Sequence, residues 1–332
     1  MSLSSGCRLY LMVMTRRKQA FAALVTATIV FSVVFAPAPP SAAANADSPT
    51  PLPFRLHAGA IARDGATLSV TLSSDFAYQG GAVMVSANDS LSGNVSVLGR
   101  TYALVEDGTG GVAGFVGFGT EDPPGPATLA VTVTRSSGAV ETVSRALTVR
   151  KTQWTVDYID LPPGVGDLLD PAIVQAEQDR LNAIYAGMSS RRWQATWRSP
   201  LAMPITASMV TSYFGEQRSF NGGPVGGHHG GTDLGVAAGT PVYATNAGRV
   251  VLAELLQVRG NMVIIDHGGG VFSGYAHMES LAVSSGQSVV SGQLVGLVGT
   301  TGLSTGPHLH WEMSVAGVLV DGLRWLDGSQ GF

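Results

Sequence analysis

Cysteine is almost absent from this chain of 332 residues: the single Cys7 lies near the N-terminus, ahead of an apolar run. Downstream of it there is neither a disulfide framework nor a thiol nucleophile, so an oxidising compartment is no obstacle. Charge is sparse too, at 13% Asp, Glu, Lys and Arg. Of the 19 basic residues, Arg8, Arg16, Arg17 and Lys18 fall in the first 46, leaving 15 against 23 acidic residues, a formal charge of −8. That balance argues against nucleic acid as a partner.

The apolar run Ala20 to Ala36 is marginal in length for crossing a bilayer. Arg16-Arg17-Lys18 precedes it, and Pro37-Ala-Pro-Pro-Ser41 and the small-residue stretch Ala42 to Ala46 follow. Residues 1–46 therefore read as an export signal, cleaved after Ala44 or Ala46, with an uncleaved anchor as the competing reading. The expected mature protein is extracytoplasmic (secreted, periplasmic or cell-wall associated), with no stable membrane insertion after cleavage.

Glycine is plentiful, with 43 residues, and 45% of the chain is hydrophobic. Length and apolar content favour two domains. Residues 47–152 alternate apolar and polar side chains over short runs such as Ala82-Val-Met-Val-Ser86 and Ala127 to Thr134, separated by turn signals, which is the rhythm of a β-sandwich. Residues 153–200 read as a linker with a helix at about 170–187, Asp170-Pro171 supplying the N-cap and first turn. From 201 to 332 the pattern is β again, with strands near 241–243, 248–253, 262–266, 271–276, 288–290, 294–298 and 308–315. The fold class expected is all-β.

Six of the seven histidines lie between His228 and His310. In His308-Leu-His-Trp-Glu312, strand alternation puts His308, His310 and Glu312 on one face, with imidazoles about 6–7 Å apart, and Leu309 and Trp311 toward a core. His229 and Asp233 flank Gly230-Gly231, which favours a tight turn entering a strand near Asp233 and curls the imidazole toward the carboxylate. His277 shares a strand face with Tyr275 by the same alternation, a place from which it could stand opposite His308 across a metal-bound water. Three imidazoles and an acid are donors that zinc prefers. Each piece also has a bland reading: a turn-stabilising pair for His229 and Asp233, a satisfied polar side chain for His277. His228 reads as a cleft neighbour, His267 as a turn residue and Glu312 as a partner that orients an imidazole.

The ordered motifs His229-x-x-x-Asp233, Gly239-Thr-Pro-Val242, Gly260 to His267, Tyr275-Ala-His277 and Gly302 to His310 resemble the lysostaphin-type, or LytM-like, zinc endopeptidases, over about residues 205–327. The upstream β-region resembles the Ig-like module of some members. Asp321-Gly322 departs from the Asp-Pro common in relatives, beyond the site. The resemblance implies a hybrid-barrel-like metallopeptidase domain at 201–332, one Zn²⁺ per chain held by His229, Asp233 and His310, and His277 and His308 as catalytic histidines. It further implies a peptidoglycan peptide as substrate and hydrolysis by a zinc-activated water. Two alternatives remain: a non-catalytic murein-binding or activator protein on the same fold, and a hybrid-barrel phosphotransfer or carrier domain. Groove residues Tyr213, Arg218, Phe220 and Asn221 are candidates for choosing the scissile bond, which the motifs do not specify. A fragment from about Arg198 is expected to fold alone.

Overall fold

The computed structural model describes residues 68–187, 201–206 and 208–326. The expected export signal and cleavage positions, and Trp193 and Trp197, lie outside the described residues. Among the described residues no helix is long and apolar enough to cross a membrane.

Alternation organises the N-terminal region as the sequence suggests. Val83 and Val85, Val95 and Val97, Tyr102 and Leu104, and Leu129, Val131 and Val133 are buried at every second position, so each strand gives one face to a common core. The hydrogen-bonded order runs through Val70–Leu72, Ala82–Ala87, Val112–Gly117, Arg100–Glu106, Ser90–Val97, Gly125–Arg135, Val140–Arg150 and Phe76–Tyr78. Strand Arg100–Glu106 pairs with Ser90–Val97 from Arg100 to Leu104 and with Val112–Gly117 at Val105 and Glu106. It thereby joins the two faces, a connection that the Ig-like expectation, with its separate sheets, does not include.

The C-terminal region is built on a second sheet in which every pairing is antiparallel. Its order is Met209–Ser212, Thr232–Gly235, His308–Val315, Val271–Met278, Asn261–Gly268, Gly248–Leu255 and Ser288–Val289, with Val318–Val320 added alongside His308–Val315. Leu309, Trp311 and Met313 enter the core from one face of His308–Val315. The short strand Leu294–Leu297 pairs with Pro241–Tyr243 in a separate sheet, so the two similar segments Ser285-Gly-Gln287 and Ser291-Gly-Gln293 lead into strands of two different sheets.

Helix α1 (Pro171–Ala186) is the one α-helix among the described residues; Asp170 caps it through Oδ1, which accepts the Ala172 N–H at 2.8 Å. Leu181 and Tyr185 are buried against Leu252, Met262, Ile264 and Phe272 of the C-terminal sheet, and the Tyr185 and Phe272 rings meet edge to face at 5.2 Å. Within the residues expected to link the domains, Val156–Ile159 forms a strand parallel to Gln217–Phe220. The N-terminal region also packs directly on the C-terminal one, with Phe115 and Trp325 rings 4.9 Å apart and the Asp321 N–H donating to the Gly80 carbonyl at 2.8 Å. Among the described residues, the core after Leu201 is thus continued by α1 and by the N-terminal region.

Candidate metal and active site

Two adjacent strands bring the expected ligands together. In the register of Thr232–Gly235 against His308–Val315, Asp233 stands opposite His310. The turn before Asp233 then folds His229 over both. Gly231 makes this approach possible: a Cβ there would lie 2.5 Å from the Trp311 carbonyl oxygen and 2.9 Å from His310 Cε1. The three donor atoms are His229 Nε2, Asp233 Oδ1 and His310 Nδ1. His310 Nδ1 lies 2.7 Å from Asp233 Oδ1 and 3.0 Å from His229 Nε2, and His229 Nε2 lies 3.1 Å from Asp233 Oδ1. Donors held 2.0–2.1 Å from a tetrahedral zinc lie about 3.3 Å apart, so this triangle fits one ion with little adjustment.

Hydrogen bonds on the far side of each ring set the tautomers. His229 Nδ1 donates to the Tyr213 carbonyl at 2.9 Å, which leaves Nε2 as a lone-pair donor. His310 is turned the other way: Nε2 donates to Glu312 Oε1 at 3.1 Å and Nδ1 faces the donor triangle. With both rings in these tautomers, two imidazole lone pairs and a carboxylate oxygen converge on one point, which a proton on His310 Nδ1 or a metal cation would occupy. The electrostatics favour positive charge at this point. Burial opposes a charged His310, yet Asp233 and Glu312 outweigh it and raise its pKa. Burial likewise opposes the Asp233 carboxylate, but His229 and His310 hold its pKa well below the usual range.

His308 and His277 flank this group. His308 Nδ1 donates to the Gly306 carbonyl at 2.8 Å, and its Nε2 lies 3.8 Å from Asp233 Oδ1. His277 Nδ1 donates to the Thr301 carbonyl at 2.8 Å, leaving Nε2 as a base, and burial pushes its pKa down to about 3, with His310 and His308 adding to the effect. The route by which His277 gets there corrects the simple alternation argument. Tyr275 pairs with Trp311 on the core face, and its hydroxyl is tied to Ser273 and the Thr245 N–H. Alternation from Tyr275 would send His277 to that same core face. Instead the register slips between Asn261 and Val263, and His277 adopts a left-handed φ of 61°, which turns its ring toward His310.

A cleft of about 460 Å³ opens beside these rings. His277, His308, Asp157, Tyr158, Arg218 and Phe220 are among the residues that line it, so strand Val156–Ile159 supplies part of the wall. Of the groove candidates, Arg218 and Phe220 face the cleft, and Arg218 Nη2 also donates to Asp233 Oδ2 at 2.9 Å. Asn221 instead accepts the Leu161 N–H, and Tyr213 is exposed outside the lining.

The other two described histidines stand outside the donor triangle: His267, expected in a turn, is buried in strand Asn261–Gly268 between the Ala247 carbonyl and the Ser273 hydroxyl, and His228, expected beside the cleft, is not among its lining residues and bonds the Gly215 carbonyl and Glu121 of the N-terminal region. Sequence reasoning missed Arg259, whose Nε donates to Glu312 Oε1 at 2.8 Å, and Glu177 of α1, which bonds Arg259 in turn. The available signal was the position of Glu177 on the apolar stripe of α1 with Leu181 and Tyr185.

The family model for peptidase family M23 matches residues 227–322, a span that holds all five histidine and aspartate site candidates. Among curated proteins, the Vibrio cholerae peptidoglycan DD-endopeptidase ShyA is 43% identical over 96 residues, covering 29% of this chain and 22% of ShyA. The Escherichia coli murein hydrolase activator EnvC is 34% identical over 140 residues, covering 42% of this chain and 30% of EnvC. The chain thus spans under a third of the length of either relative. A solved Pseudomonas aeruginosa structure described as a peptidase M23 is 25% identical, with a TM-score of 0.56, covering 75% of this chain and 94% of that one, so the likeness of fold extends well upstream of residue 227. Residues 227–322 thus carry a peptidase family M23 domain.

Proposed function

We propose that this protein is an extracytoplasmic zinc metalloendopeptidase that hydrolyses peptide cross-links of peptidoglycan. The observation that carries the reading is the donor triangle of His229 Nε2, Asp233 Oδ1 and His310 Nδ1, set beside two further imidazoles whose Nε2 atoms are left open by backbone hydrogen bonds. Zinc held there supplies a Lewis acid that polarises a carbonyl and acidifies water. The chain's own residues do the rest. His277 or His308 takes the proton of the attacking water at Nε2 as the C–O bond forms, and returns it to the departing amine nitrogen as the C–N bond breaks. While it holds that proton the imidazole is positively charged and stabilises the negative charge that gathers on the carbonyl oxygen until the C–N bond breaks. Arg218 and the strand Val156–Ile159 orient the substrate peptide along the cleft.

The likeness to ShyA, a peptidoglycan DD-endopeptidase, supports this substrate class. The likeness to EnvC favours a second reading, a non-catalytic activator of murein hydrolases. A complete donor set with both flanking histidines counts against it, because a binding module has no need of them. Metal analysis of the purified protein, with mass spectrometry of muropeptides released from walls of different cross-link chemistry, tests both. Stoichiometric zinc and new peptide termini are expected; zinc-free protein that leaves every wall intact would refute the enzyme.

A further inference from the structure

Helix α1 lies upstream of the matched residues, and Glu177 is buried on its inner stripe with Leu181 and Tyr185. A carboxylate out of water is costly unless its oxygens are satisfied. Glu177 Oε2 accepts the Val258 N–H at 2.7 Å, and Oε1 accepts the Arg259 N–H at 3.0 Å and Arg259 Nη1 at 3.2 Å. The carboxylate thus grips the turn between strands Gly248–Leu255 and Asn261–Gly268 by its backbone as well as by a side chain.

Arg259 passes this hold on in two directions. Its Nε donates to Glu312 Oε1 at 2.8 Å, the same oxygen that accepts the His310 Nε2–H. Its carbonyl accepts the His277 N–H at 2.9 Å, within the bulge that turns His277 toward the cleft. Tyr185, two turns after Glu177, donates to the other oxygen of Glu312 at 3.4 Å. Two carboxylates against one guanidinium leave a net negative charge behind His310, which strengthens its Nδ1 as a donor.

We propose that Glu177 and Arg259 are positioning residues of the metal site: the helix carboxylate fixes the turn, and Arg259 sets the ring of His310 through Glu312 and the backbone of His277 through its carbonyl. The inference rests on the zinc-peptidase reading. It assigns α1 a part in the chemistry rather than only in packing, although the helix lies outside the family-matched residues.

The test uses the full chain with Glu177→Gln, Arg259→Met and Arg259→Lys. Zinc dissociation constants are measured by chelator competition, and the His310 ring nitrogens are read by ¹⁵N NMR in the zinc-free protein. Glu177→Gln and Arg259→Met are expected to weaken zinc by about 10- to 100-fold and to loosen the Nδ1-open tautomer of His310, with partial rescue in Arg259→Lys. A residue with a purely structural role would lower the melting temperature and leave both readouts of the folded protein unchanged, and that result overturns the proposal. If Glu177→Gln does not fold, Arg259→Lys against Arg259→Met decides the matter. Wild-type protein that binds no zinc refutes the metalloenzyme, while the His310 tautomer still judges the positioning role.

Discussion

His277 and His308 face one another with ring centroids 4.9 Å apart, across two strands whose alternation would have placed them on opposite sides of the sheet. The bulge at His277 is what makes them a pair. A left-handed backbone at a non-glycine residue costs of order 1–3 kcal/mol and persists because the surroundings over-determine it; here the Arg259 carbonyl and the Thr301 carbonyl hold its amide and its Nδ1.

The histidines divide by role. His310→Ala and Asp233→Ala remove a donor from the triangle and are expected to lose zinc and activity together. His308→Ala and His277→Ala keep the triangle and are expected to retain zinc while losing about 10²-fold or more in turnover. Zinc content and turnover measured side by side on the four variants check the division; loss of metal in His308→Ala with retention in His310→Ala would reverse it.

Gly231→Ala is a second probe of the triangle that touches no donor. Its Cβ would meet the Trp311 carbonyl and the His310 ring at under 3 Å, so the turn must move away from His310 and carry His229 with it. Weaker zinc binding is expected, by tenfold or more, on the order of an outer-sphere defect. Calorimetric titration with zinc reads it directly, and a wild-type affinity would show that the turn yields without moving His229.

His267 gives the pH dependence of stability. Burial lowers its pKa from 6.5 to about 4, with the Ala247 carbonyl and Asp266 opposing. Between those values the unfolded chain binds more protons than the folded one, so stability falls as pH drops through the window from 6.5 to 4 and is fully present above it. The group's share is about 3 kcal/mol. Urea unfolding at several pH values should show a steeper acid loss in the wild type than in His267→Gln; parallel curves would remove His267 from the account.

The packing of α1 predicts the fate of a shortened protein. A fragment beginning at Leu201 lacks Leu181 and Tyr185, each worth about 1.5–3 kcal/mol by burial, and leaves the Val258 and Arg259 amides without Glu177. It is expected to unfold at markedly lower urea than a fragment beginning at Trp154, and equal midpoints would show that α1 is dispensable.

Where a strand is continuous and one face is buried, the sequence alone was enough. His308, His310 and Glu312 fall on one face because His308–Val315 runs unbroken, and the Gly-Gly pair between His229 and Asp233 marks the turn that brings them together. The helix was legible from its Asp-Pro start. His277 reached the site by a bulge, which leaves no trace in a period-2 pattern. Val156–Ile159 has four residues and pairs with a partner some sixty positions away, so nothing local marks it as a strand. Arg259 looks like any surface cation until Glu177 and Glu312 are seen on either side of it.

The seam between the two β-regions bears on domain exchange among M23 proteins. Phe115 lies on Trp325, and Gly117 lies so near Val315 and Val318 that a methyl group there would stand 3.1 Å from the Val315 side chain. Residues 156–187 pack on the C-terminal side of that seam, giving a wall to the cleft and a carboxylate to the turn at Arg259. A crossover point placed at Pro200, where composition suggests a boundary, would part the M23-matched region from its own buttress; placed before Trp154, it would move that region with its cleft wall and its helix, and leave the surface of Gly80, Phe115, Gly117 and Glu121 to be matched by the new host.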